Sequence, residues 1–330
     1  MDFWLPVVFA GLMALAMLIY VVLDGYDLGV GVLLNGGDDK EKDMMIASIG
    51  PFWDANETWL VLGVGILLIA FPMAHGIILS SLYLEVAVML VGLILRGVAF
   101  DFRVKARGPH KPLWNAAFFG GSLLAAMAQG FMLGHYITGF EHSPGAYAFS
   151  MLISVCVVAG YGLLGATWLI MKSEGELQRK AVRWAQRALW LTAAGIAAVS
   201  IATPLVSERV FDKWFAFPQF LLLSQIPAIS IALVLACHFR LRSLARQIDH
   251  REWQPFALAV AIFLLAFAGL AYSLFPYLVI DEITIWDAAS ATNSLLVILW
   301  GVVITLPAIL GYTVFAYRVF WGKTRELSYD

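Results

Sequence analysis

Charge is what this sequence has least of. Asp, Glu, Lys and Arg make up 13% of its 330 residues, about half the share usual in a soluble domain. Hydrophobic residues supply 61%, so the class is a polytopic membrane protein. Cysteine is nearly absent: Cys156 and Cys237 both lie in or at the ends of apolar runs. Two such residues make neither a disulfide framework nor a CxxC metal pair. No GxGxxG loop, Walker A loop, HExxH or Ser/His/Asp motif is present, so nothing here makes a self-contained catalyst. No exposed basic cluster suggests nucleic acid. Met1 to Leu5 carries no basic residue and opens an apolar run too long for a signal peptide, so the first helix is expected to be retained.

What is there is a series of long apolar runs. They fall at roughly 5–33, 55–74, 77–101, 114–138, 146–171, 188–206, 217–239, 255–276 and 290–317, which predicts nine transmembrane helices. The basic residues fix an expected orientation. Eighteen of the 21 Lys and Arg residues fall in one alternating set of connections, Arg107 and the tail's Arg325 among them. The other set has only Arg209 and Lys213. That places the amino terminus outside and the carboxyl terminus in the cytoplasm. The outer connections are expected to stay within about fifteen residues, while the inner segment 38–48 reads as interfacial and 172–187 reads equally as interfacial or as a solvated helix extension. Gly25-Tyr26-Asp27-Leu28 in the first span is echoed by Gly160-Tyr161-Gly162-Leu163 in the fifth. The echo suggests two halves of like orientation, 1–140 and 141–276, with an extra helix at 290–317.

Three polar clusters interrupt the apolar background, all at the expected cytoplasmic side. The first is Asp24-Gly25-Tyr26-Asp27-Leu28-Gly29-Val30-Gly31. From Phe3 to Leu34 the helix would run about 48 Å, so Asp24 lies inside or at the inner edge of a core of about 30 Å. An acid there is costly unless neutralised, paired or wet, and is functional by default. Asp24 and Asp27 share a face, and the glycines admit close helix neighbours. The second cluster is Gly50-Pro51-Phe52-Trp53-Asp54-Ala55-Asn56-Glu57-Thr58-Trp59. Asp54 and Glu57 read either as a capping-box-like pair or as acids that pass protons inward, and the two roles are compatible. The third is Arg96-Gly97-Val98-Ala99-Phe100-Asp101-Phe102-Arg103. Arg103 reads as a positive-inside anchor, whereas the deeper Arg96 needs a carboxylate, expected to be Asp24, Asp27 or Asp54. Glu85 stands apart, expected about midway along the third span as a proton-relay member or a protonated, hydrogen-bonded group.

A bis-ligated haem needs His or Met at matched depth on facing helices. Only His75 and His135 lie near helix ends at the outer side, and both read better as interfacial residues.

These three clusters, in this order and spacing, resemble subunit II of cytochrome bd quinol oxidase. The compact length, Asn56-Glu57-Thr58 and Arg96-Gly97 resemble its shorter, cyanide-insensitive branch. The resemblance implies two four-helix bundles plus one peripheral helix. It further implies a subunit without catalytic haem, paired in the bacterial cytoplasmic membrane with a subunit I that carries haem b, haem d and the quinol site. Such complexes can carry a small accessory membrane subunit. They oxidise quinol and reduce dioxygen to water with protons drawn from the cytoplasm; Asp54 and Asp24 would serve that delivery, and the apolar helices would guide dioxygen. A proton-coupled secondary transporter is the rival reading, since it too would use intramembrane acids with an Arg partner.

Overall fold

The structure is a computed structural model that describes residues 1–106 and 108–324. Two of the basic residues that set the expected orientation, Arg107 and Arg325, lie outside the described residues. Among the described residues, nine helices are long and apolar enough to cross a membrane, as expected. They are α1 (Trp4–Leu33), α3 (Trp53–Ala70), α5 (Tyr83–Lys105), α6 (Lys111–Ile137), α7 (Pro144–Lys172), α8 (Gly175–Val206), α11 (Gln225–Arg246), α12 (Gln254–Leu274) and α13 (Thr292–Val319). Shorter helices join them: α2 (Asp39–Ile49), α4 (Pro72–Ser81), α9 (Glu208–Phe215) and α10 (Gln219–Leu223). A small antiparallel hairpin, β1 (Tyr277–Val279) and β2 (Ile283–Thr284), lies between α12 and α13.

Local sequence sets several of these boundaries. Asp38 and Glu41 form a reciprocal capping box that starts α2. The hydroxyl of Ser143 caps α7, and Pro144 occupies its first turn, where a missing N–H costs nothing. The third predicted span divides in two. Phe71 and Leu82 leave helical geometry, so 72–81 is a separate helix and the crossing segment begins at Tyr83. Of the two readings of 172–187, the helix extension is the one found: residues 175–187 continue without a break into α8. The segments 207–224 and 275–291 exceed the expected fifteen residues, because they contain α9, α10 and the hairpin.

Contacts gather the helix ends into two sets. At the basic end Lys180 meets Glu41, Lys172 bonds the Phe320 carbonyl, and Lys323 meets Glu252. At the opposite end Thr292 bonds Asp2, Trp286 bonds the Phe3 carbonyl, and Tyr136 bonds the Leu278 carbonyl.

Two close crossings hold the interior. A Cβ on Gly29 of α1 would stand 1.8 Å from the Tyr161 carbonyl oxygen, and one on Gly165 of α7 would stand 2.4 Å from the Gly29 carbonyl carbon. Backbone therefore touches backbone, as small residues allow between membrane helices. On α6, a Cβ on Gly121 would lie 2.7 Å from the Arg96 nitrogen, so α5 and α6 meet where Arg96 leaves its helix. By contrast α13 stands at the margin, with only Leu295 and Ala316 of its residues buried.

Candidate functional site: a buried charge cluster at the basic end

Arg96 is the hub. It is 1% exposed, and its Nη2 lies 2.9 Å from Asp24 Oδ1 and in direct contact with Glu57 Oε1. The three residues come from α5, α1 and α3, so one guanidinium ties three helices together. A buried cation in apolar surroundings is tolerable only with such partners. Of the three acids expected to pair with Arg96, Asp24 does so. Asp27 and Asp54 do not, and Glu57 takes the second place.

Glu57 is available because it caps nothing. α3 begins at Trp53 with Phe52 as its cap residue, and no side chain caps it. Asp54 lies within the first turn and is exposed. The capping-box reading of Asp54 and Glu57 is thus incorrect; that device occurs at Asp38 and Glu41 instead. The Glu57 side chain retains 28% exposure, which makes it the member of the cluster that reaches the surface of the chain.

Asp27 is fully buried and held by a separate ring of hydrogen bonds. Asn56 Nδ2 donates to Asp27 Oδ2 at 2.8 Å and to the Tyr26 hydroxyl at 2.9 Å. The Tyr26 and Tyr317 hydroxyls are 2.6 Å apart, and Tyr317 donates back to Asn56 Oδ1 at 3.2 Å. Since Asn56 supplies the proton to Tyr26, Tyr26 donates to Tyr317, and the ring runs in one direction. Asp27 Oδ1 and Asp24 Oδ2 are buried without a hydrogen-bond partner among the described residues.

A third chain of hydrogen bonds runs from α7 through α6 to α1. Tyr161 donates to Gln129 Oε1 at 2.6 Å, and Gln129 Nε2 donates to the Tyr20 hydroxyl at 2.7 Å. The Tyr20 hydroxyl thus accepts from Gln129 and stands one helical turn from Asp24 along α1. Sequence reading missed Tyr20, Gln129, Tyr161 and Tyr317, because their polar atoms sit in aromatic or amide side chains. The one available signal was Tyr20, four residues before Asp24.

Two further residues depart from expectation. Arg103 is only 4% exposed; its Nη2 meets Asp43 at 2.7 Å and its Nε donates to Asn115 at 2.5 Å. It is a buried joint between α2, α5 and α6 and not a simple anchor, whereas Asp101 beside it is exposed. Burial alone would raise the Asp43 carboxyl; hydrogen bonds from Lys111 and Arg103 more than reverse this and hold it below the usual carboxylate range. Glu85 lies in the first turn of α5, at the opposite end and not midway, because the crossing helix starts only at Tyr83. There its Oε1 is 3.1 Å from Nδ1 of the buried His135.

Among the described residues no group of three His, Cys, Asp or Glu is placed to hold a metal ion. His135 is a poor fit for a haem ligand. His135 is committed to Glu85 and enclosed by the rings of Phe131, Phe140, His142 and Tyr147.

Comparison with known proteins gives one consistent answer. Residues 5–320 match the family described as cytochrome bd terminal oxidase subunit II. The chain is 28% identical to subunit 2 of the cytochrome bd-I ubiquinol oxidase of Escherichia coli K12, covering 93% of this chain and 92% of that one. It is 26% identical to the cytochrome bd ubiquinol oxidase subunit 2 of Bacillus subtilis, over 94% of both. A chain of the solved bd oxidase from Geobacillus thermodenitrificans shares the fold, with a TM-score of 0.60, 11% identity and coverage of 97% and 100%.

Proposed function

The chain belongs to the cytochrome bd terminal oxidase subunit II family, and on that premise we propose that it is the haem-free subunit of a quinol oxidase that reduces dioxygen to water. Its partner is the haem-bearing subunit I, with a small accessory membrane subunit as a further neighbour. Haem b and haem d in that partner supply the electron transfer and oxygen chemistry. The complex sits in the bacterial cytoplasmic membrane, with the basic end of this chain in the cytoplasm and its amino terminus outside. Its helices group as two four-helix bundles, α1, α3, α5 and α6 against α7, α8, α11 and α12, with α13 peripheral.

The observation that carries the site reading is the run of acids from the basic end inward. Asp54 is exposed, Glu57 is partly so, and Asp24 is fully buried on the far side of Arg96. Asp54 takes up a proton at the surface and Glu57, one turn further along α3, receives it. Arg96 keeps both Glu57 and Asp24 in place as acceptors, and Asp27 forms a third acceptor beside them. Besides this path, the subunit stabilises its partner. The transporter reading loses its one midplane acid, since Glu85 is at a helix end.

Pull-down from native membranes tests the assignment: a second, larger chain carrying b- and d-type haem bands should accompany this one. Asp54→Asn then tests the path. Because Asp54 caps no helix, this change removes only the titratable proton. Turnover of the assembled complex should fall about tenfold, equivalent to about 1.4 kcal/mol in the barrier. Unchanged turnover in an assembled variant rules out Asp54 as the carrier.

A further inference from the structure

Between α11 and α12 the basic end opens into a groove of about 630 Å³ that the oxidase reading does not use. Ala236 and Ala257 line it where larger side chains would close the gap, and both are exposed. Phe239 and Leu258 form its apolar wall. Ala232 on α11 and Leu264 on α12 lie on the same helix faces, one or two turns further along, and both are exposed. The groove therefore continues as an apolar trough away from the basic end.

Its mouth has a different chemistry. Arg240, Arg251 and Trp253 stand there. Arg240 contacts Asp249 Oδ1, which also accepts from the Arg251 backbone N–H at 2.9 Å. The Nε of Arg240 is buried without a hydrogen-bond partner among the described residues. Arg251 is exposed, and the nearby Glu252 is engaged by Lys323 at 2.5 Å and Gln178 at 2.6 Å. The Asp249 carboxylate thus holds one guanidinium, that of Arg240, and meets Arg251 through its backbone N–H, while Arg242, Arg246 and His250 add no negative charge nearby.

We infer that this groove is a binding site for an anionic phospholipid, its phosphodiester held by Arg240 and Arg251 and an acyl chain lying along α11 and α12. Guanidiniums pair well with phosphate oxygens. Trp253 suits the level where headgroups meet hydrocarbon, and basic pockets between membrane helices favour such headgroups. A free phosphate would use the arginines and ignore the trough. A helix from another chain would fill the trough and gain nothing from the arginines.

The test is native mass spectrometry of the purified oxidase complex after exposure to phosphatidylglycerol or phosphatidylcholine micelles. Wild type should retain phosphatidylglycerol selectively. The double variant R240Q/R251Q should bind it about 30-fold more weakly, from about fivefold per arginine near a membrane surface. Ala236→Trp blocks the trough with both arginines in place and should also abolish retention. Asp249→Asn frees Arg240 and should bind at least as tightly as wild type; loss in this variant would mean that the loop's fold, and not charge, is being read. Full retention by R240Q/R251Q overturns the proposal. So does displacement of the lipid by inorganic phosphate with Ala236→Trp unaffected, which would leave a free-anion site. Cross-linking of the groove to another polypeptide with no lipid retained would make it a protein interface instead.

Discussion

At the scale of single residues, the molecule depends on how Arg96 is paired. Its replacement by Ala leaves the buried Asp24 and the half-buried Glu57 against each other with no cation between them. Such a loss typically costs about 3–5 kcal/mol, so R96A should fail to assemble or melt far below wild type in a thermal-shift assay of the complex. The joint at Asp43 predicts a milder, pH-dependent effect. Its folded-state carboxyl is held below the ordinary value, so the stability it contributes is complete above about pH 3.9, the unfolded value. That stability is lost as pH falls further through the folded value. The Asp43 side chain is 43% exposed, so Asp43→Asn should cost at most about 1 kcal/mol at neutral pH. The cost should vanish in melts taken at the acidic limit. Some of this was legible beforehand. Arg96 had to have a carboxylate, because an intramembrane guanidinium must be compensated. Glu57 was hidden by a sequence pattern that equally spells a helix cap, and only the placement of Phe52 ahead of α3 decides between them.

At the scale of elements, the crossing of α1 and α7 decides where the acids sit. Gly29→Ala would press a methyl group into the Tyr161 carbonyl at 1.8 Å. Forcing atoms into a packed contact costs about 1–3 kcal/mol where the structure can yield, and here the obstacle is backbone. A clear drop in the melting temperature of the complex is expected. Gly162→Ala is the control, because its Cβ would meet nothing within 4 Å; its stability should stay within about 0.5 kcal/mol of wild type. The same crossing gives the internal echo a physical meaning. The matched segments meet: a Cβ on Gly25 would lie 2.8 Å from the Tyr161 ring. Helix number and span order were readable because hydropathy must follow the thickness of the bilayer. The break at Leu82 was not, since residues 72–105 stay apolar through it and hydropathy does not register a change of direction. Glu85 was misjudged for that reason alone.

At the scale of the whole molecule, α13 is fastened mainly at its ends. Tyr317, Phe320 and Lys323 bind the basic end, while Thr292 and Ser290 bind the other, where Ser290 donates to the Ile69 carbonyl. Its long middle is largely exposed. Tyr317→Phe breaks the hydrogen-bond ring and leaves Asn56 Oδ1 without its donor; faster amide exchange should follow in the last turns of α13, with the middle of α1 unchanged. The position of the acid cluster has an electrical consequence. Glu57 lies only about four residues into α3, about 6 Å along a helix of about 27 Å. On the proposed path, a proton moving from the basic end to Glu57 would cross about a fifth of the membrane's voltage drop. At about 2.3 kcal/mol per charge per 100 mV, loading the cluster costs only about 0.5 kcal/mol at that potential. If the acids fill as proposed, that step is nearly insensitive to membrane potential, and the electrical work of the proposed path falls on whatever step carries the charge onward.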